Sequence, residues 1–163
     1  MPRPLVGLTQ DSAGIGGAPE AGDRFGASIS MTGYRSSDQT YNSDVLLAVG
    51  EPGKDTATVK DAGSVHIFRP VDAAIVTNDR ELTRGSGLPG TATARDYTGI
   101  ALMGGSTYLY AGVPYSKESA TSKGVLYVTS WTNADGSTST GTTTYQPGAA
   151  GLPDAGSTFG AMG

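Results

Sequence analysis

The chain has 163 residues, 37% of them apolar and only 16% charged, with a net charge of −4 and no cysteine. That excludes disulfides, cysteine-ligated zinc and thiol catalysis, and acids and bases scattered without runs argue against a nucleic-acid partner. With 25 glycines and 9 prolines, the composition points to many short elements in one domain or a piece of one, not to long helices.

In chain order, the N-terminal "MPRPLVGLTQ" lacks the apolar core of a signal peptide, and no apolar run approaches the roughly 18 residues that span a membrane. The chain reads as soluble, and as intracellular, already processed, or cut from something longer. "GIGGAPEAG" looks like a phosphate loop, but it lacks the Gly-Lys-Ser/Thr ending and precedes a strand pattern, so no helix N-terminus would receive the phosphate. Short apolar stretches follow: "GASISM", "VLLAVGEP", "SVHIFRP", "AAIVT", "YLYAGVP", "GVLYVTSW" and "TGTTTYQ". Val, Ile, Tyr, Thr and Phe dominate them and no helical stripe lasts three turns, which predicts an all-β chain of antiparallel hairpins. Loops such as "EPGKDTATVKDAG" and "NADGSTSTG" supply the Gly, Asp and Ser of tight reversals, with Asn133 and Asp135 before Gly136 reading as an Asx turn.

Internal repetition is the stronger signal. Gly14, Gly17, Asp23 and Gly26 fall on Gly87, Gly90, Asp96 and Gly99 at a constant offset of 73 residues. "LLAVGEPG" then matches "YLYAGVPY", placing Gly50 and Pro52 over Gly112 and Pro114, and Gly63 falls on Gly124. A third copy begins at "PDAGSTFGAMG", where Pro153, Ala155, Gly156, Phe159 and Gly160 repeat Pro19, Ala21, Gly22, Phe25 and Gly26. About four strand candidates per unit fit a β-propeller blade, and a β-sandwich is the alternative architecture.

These landmarks resemble the FG-GAP repeats of integrin alpha-subunit propellers and of secreted bacterial propeller proteins. The first copy carries Phe25-Gly26-Ala27, then Gly50-Glu51-Pro52 where the family has Gly-Ala-Pro, and its lead-in "LTQDSAGIGGAPEAGDRFGA" is similar to interblade segments of actinobacterial members. The second copy departs from the pattern, with Thr98-Gly99 for Phe-Gly and Gly112-Val113-Pro114 for Gly-Ala-Pro. The resemblance implies a binding or scaffolding propeller segment with about two four-stranded antiparallel blades and an extra strand at each end. Its divisions are residues 1–24 as outer strand and interblade lead-in, 25–97 as blade one, 98–158 as blade two, and 159–163 as the start of a next inner strand. Phe25, Gly26, Gly50, Pro52, Gly99, Gly112, Pro114, Phe159 and Gly160 are then structural. Glycine lets backbones converge, the aromatic ring fills the wedge between sheets, and Gly-x-Pro ends the second strand.

Many family members bind calcium in an Asp-x-Asp-x-Asp-Gly-like loop between the first two strands. Here that loop reads "MTGYRSSDQTYNSDVLL", with Gly33 where the first Asp would fall and Leu46 in place of the acidic residue before the strand. Asp38, Asn42 and Asp44 remain as loose oxygen donors without the alternating spacing, so no cofactor is expected. His66, the only histidine, alternates with Val65 and Ile67 in a strand and reads as packed or hydrogen-bonded on one sheet face, not as a base. The "GSG" at 85–87 and "GGS" at 104–106 lack the strand-to-helix setting of a nucleophile elbow.

Seven aromatics crowd the second repeat, and Tyr110, Tyr115 and Trp131 are the candidate binding residues, with interblade packing as the competing use of such side chains. The expected function is a noncatalytic interaction module outside the cell or on its surface, binding a protein or glycan. The alternative is an assembly subunit whose open sheet faces and terminal strands pair with further blades, or with copies of itself as a homo-oligomer.

Overall fold

Alternating β-branched stretches fold as strands in the structure, a computed structural model that describes residues 7–34, 44–56, 58–70, 77–117, 124–134, 141–154 and 158–162. The first sheet runs β1 (Ser28–Tyr34), β2 (Asp44–Glu51), β3 (Ser64–Arg69) and β4 (Thr77–Arg84), with the two-residue β5 (Gly87–Leu88) beside β4. The second runs β6 (Ala101–Gly104), β7 (Tyr108–Val113), β8 (Val125–Ser130) and β9 (Thr143–Tyr145), with one helical turn, α1 (Trp131–Ala134), after β8. Neighbours pair antiparallel throughout, except β4 with β5. The chain is thus all-β, in two mostly antiparallel sheets.

Residues 73–76 of the expected "AAIVT" strand lie outside the described residues; from Thr77 on, β4 is the polar "TNDRELTR", which buries Leu82 opposite Val65. Residues 7–27, 146–154 and 158–162 hold turns and no strand, so the extra strand expected at each end is absent among the described residues.

Strand alternation sorts side chains onto faces. In the first sheet Leu46, Ala48, Val65, Ile67 and Leu82 share one face, and in the second Leu109, Ala111, Val113, Val125 and Tyr127 share another; these two faces meet in one core with Leu88, Trp131 and Leu102. Matched by the repeat, the two packed faces are not equivalent. Leu46, Ala48, Val65 and Ile67 correspond to Tyr108, Tyr110, Leu126 and Val128 on the outer side of the second sheet. Their counterparts in the core, Ala111, Val125 and Tyr127, correspond to Val49, Ser64 and His66 on the outer side of the first. The sheets therefore stack front to back.

The repeat also exists as backbone geometry. Three turns carry the Phe-Gly position: Ala27 N–H donates to Arg24 O, Ile100 N–H to Tyr97 O, and Ala161 N–H to Thr158 O. Gly26, Gly99 and Gly160 have φ of 86°, 87° and 87°, a conformation open to glycine at little cost. Gly99 presses its carbonyl onto Gly50 of the first sheet, and Gly160 presses its carbonyl onto Gly112 of the second; a Cβ at Gly50 or Gly112 would overlap those oxygens.

Gly50→Ala and Gly112→Ala are accordingly expected to lose about 2–3 kcal/mol each by overpacking against backbone that cannot yield. Gly141→Ala, whose Cβ meets nothing within 4 Å, is expected within about 0.5 kcal/mol of the parent. Urea unfolding of the three variants checks this, and a Gly50→Ala chain as stable as the parent would remove the carbonyl contact as a constraint.

Candidate functional site: a buried charge cluster and an open aromatic face

The outer side of the first sheet carries a buried polar cluster. Glu51 ends β2, Ser64 pairs with it from β3, His66 lies two residues on, and Asp79 approaches from β4. His66 Nδ1 is 2.9 Å from Asp79 Oδ2 and its Nε2 is 3.1 Å from Glu51 Oε2, which also accepts from Ser64 Oγ at 3.2 Å. Glu51, Ser64 and His66 are fully buried. Burial by itself would lower the imidazole pKa, but the hydrogen bonds and charges of Asp79 and Glu51 outweigh it and raise the pKa to about 9.

Ser64 Oγ, His66 and Asp79 lie in the order of a nucleophile–base–acid triad, with Ser64 Oγ 3.4 Å from Nε2. Charge decides against that use. An imidazolium donates from both nitrogens and has no lone pair to take the Ser64 proton, and full burial denies Ser64 a substrate. What the cluster does is fasten the N-terminal segment. Asp79 Oδ2 accepts from Gly16 N–H at 2.7 Å, and Phe25 sets its ring edge against His66 at 5.5 Å between centroids. The Phe25 ring thus covers the imidazole on the outer face of the first sheet.

Two further ion pairs close the segments that lead into each sheet. Asp23 accepts from Glu20 N–H and pairs with Lys54 Nζ at 3.0 Å. Its repeat mate Asp96 accepts from Thr93 N–H and pairs with Arg84 Nη1 at 2.6 Å. Burial opposes charge on both cations, and the facing carboxylates, with Tyr127 at Arg84, raise their pKa values despite it.

The outer side of the second sheet is different in kind. Tyr108, Tyr110, Leu126, Val128 and Tyr145 line a groove of about 480 Å³, with Leu152 and Phe159 of the C-terminal segment closing one flank. Of the large apolar side chains that are exposed, Met103, Tyr108 and Tyr145 lie on this face and Ile29 and Met31 on the opposite outer face of the first sheet. Tyr115, 48% exposed, meets Tyr97 edge-on at 5.8 Å, with the Arg24 guanidinium 5.6 Å above the Tyr97 ring.

Of the residues singled out for binding, Tyr110 lines the groove, Tyr115 stands apart on the surface, and Trp131 corrects the expectation. It is buried between the sheets, its Nε1–H donating to Gly105 O at 2.8 Å, so it offers no platform. Of the calcium candidates, Asp38 and Asn42 lie outside the described residues and Asp44 opens β2. Leu46, standing where a ligand carboxylate would be, is a core residue. Among the described residues no group of three or more His, Asp or Glu side chains is arranged to hold a metal ion. Asn133 sits in the helical turn α1, and Asp135 and Gly136 of the expected Asx turn lie outside the described residues. Sequence reasoning left Tyr108 and Tyr145 out of the binding residues, although alternation puts Tyr108 on the face of Tyr110 and Tyr145 pairs with Leu126. It also missed Glu51 and Asp79 as partners of His66, which no spacing announces.

No protein-family model matches the sequence, and no curated protein is significantly similar to it.

The His66 cluster makes stability depend on pH. A folded-state pKa near 9 against an ordinary 6.5 means that the stabilisation is complete below about pH 6.5 and is lost as pH rises through 9. The melting temperature is expected to fall between those limits, by the equivalent of roughly 2–3 kcal/mol, and His66→Gln should flatten the profile. Parallel profiles for parent and variant would show that His66 is not the titrating group.

Proposed function

We propose that this chain is a noncatalytic interaction module, a segment of an integrin-like FG-GAP propeller that binds a protein or glycan outside the cell or at its surface. The propeller reading rests on the Phe-Gly and Gly-x-Pro landmarks and is supported by the front-to-back stacking of repeat-equivalent sheet faces. The extracellular setting follows from the resemblance alone.

The observation that carries binding is the open face of the second sheet. Aromatic rings with polar hydroxyls, set along a concave apolar floor, stack on sugar faces or anchor an apolar side chain, and they give up little conformational freedom in doing so. The noncatalytic reading is supported by His66, the residue best suited to proton transfer near neutral pH, which is spent on holding two carboxylates inside the fold.

The test is a glycan array together with a displayed peptide library, probed with the folded chain and with a Tyr108→Ser/Tyr145→Ser variant. Loss of two stacking rings at about 0.5–1.5 kcal/mol each is expected to weaken binding roughly tenfold or more at unchanged melting temperature. Ligands held equally well by parent and variant would overturn the aromatic face as the binding surface.

A further inference from the structure

The internal interface defines what fits the two outer faces. Inside the chain, the face bearing Leu46, Ala48 and Ile67 packs on the face bearing Leu109, Ala111 and Tyr127. The groove face with Tyr108, Tyr110 and Val128 is the repeat equivalent of the first, and the face with Ile29, Met31 and Val49 is the equivalent side of the second. Among the described residues, five of the six exposed large apolar side chains, Tyr115 being the other, lie on these two faces, with Ile29 61% and Met31 69% exposed on one and Tyr108 46% exposed on the other.

The glycine turns add a second observation. Gly99 and Gly160 each press on a sheet, so that a Cβ on either would collide with backbone, Ser64 O for Gly99 and Val125 O for Gly160. Gly26 has the same positive φ and the same turn hydrogen bond, yet a Cβ there would meet nothing within 4 Å. Among the described residues, Gly26 thus has the shape of a turn that presses on a sheet, with no sheet against it.

Resting on the interaction-module reading, we propose that the partner of the aromatic face is a second copy of this chain, docked head to tail. The Ile29/Met31 face of one copy covers the Tyr108/Tyr145 groove of the other. The incoming Phe25-Gly26 turn takes the place on Gly112 and Gly124 that Phe159-Gly160 holds in the single chain. The two turns are interchangeable there because Ala-Gly-x-x-Phe-Gly-Ala is common to residues 21–27 and 155–161. The incoming turn brings a whole sheet with it, whereas Leu152 and Phe159 line only part of the groove. Such a contact is heterologous, using different patches on the two copies, and therefore propagates into a ring or a row.

Sedimentation velocity over a concentration series tests this. The parent is expected to associate, and Ile29→Lys/Met31→Lys and Tyr108→Lys/Tyr145→Lys each to stay monomeric. An equimolar mixture of the two variants should form a 1:1 dimer and nothing larger, because each retains the face the other lacks. Gly26→Ala and Gly160→Ala are expected to move in opposite directions. The first puts a Cβ into the docked contact and abolishes association, while the second expels the chain's own turn and lowers the concentration needed several-fold. Thermal melts establish that each variant folds, and the two alanine variants retain the test if a lysine variant does not. A parent that stays monomeric throughout, a mixture without dimer, or two alanine variants shifted the same way overturns head-to-tail docking. Retained binding of glycan or peptide at Tyr108 and Tyr145 by a monomeric chain would leave the interaction-module reading standing without it.

Discussion

The structure depends on a backbone contact that only glycine permits at both partners. Gly99 turns with a φ of 87° and sets its carbonyl against Gly50, and Gly160 repeats the contact at Gly112. With a side chain at either member the turn could not approach, and the next sheet would start several ångströms away from the face it must cover. The spacing between the sheets, and so the packing of Leu46 and Ile67 against Leu109 and Tyr127, follows from this closeness. Glycine usually weakens a strand; in β2 and β7 that cost is offset by the apolar area that the closer sheets bury.

Holding the turn in place needs polar anchors, and the chain solves the same problem twice with different residues. Asp23 and Asp96 each accept the N–H three residues earlier, which rigidifies the turn, but Lys54 completes the first and Arg84 the second. Gln10 donates Nε2–H to Ala18 O, the carbonyl that Lys54 Nζ also reaches. Charge balance at the buried aspartate is kept while its source moves from one strand end to another. Loss of either cation would leave a carboxylate buried without compensation, the costly case for a buried charge.

Much of the fold was legible because strand alternation and turn glycines are local signals. The stretches at Gly50, Val65, Tyr110 and Tyr127 became β2, β3, β7 and β8, and the offset linking Gly26 to Gly99 was recovered as matching turn geometry. β4 was illegible because a strand with one dry face needs little apolar sequence, and a polar "TNDRELTR" with Leu82 inside satisfies that. The candidate site divides in the same way. Tyr110 followed from alternation. Trp131 was misplaced because nothing in one dimension distinguishes a ring inserted between two sheets from one lying on top of them. The Glu51–His66–Asp79 cluster joins three strands and has no sequence signature at all.

The exchange of His66 for Tyr127 between the repeats shows why the first sheet carries charge. Both positions tie the lead-in segment to the sheet at equivalent places. Tyr127 does so directly, its hydroxyl donating to Pro89 O at 2.7 Å. Histidine is shorter and cannot span that gap, so Asp79 stands between His66 and Gly16, which matches Pro89 in the repeat. Introducing Asp79 in turn requires a cation, and Glu51 on the far nitrogen keeps the imidazole charged where burial alone would neutralise it. One shortened side chain thus entails two carboxylates and a proton. The chemistry that most resembles an active site is the consequence of a structural tie.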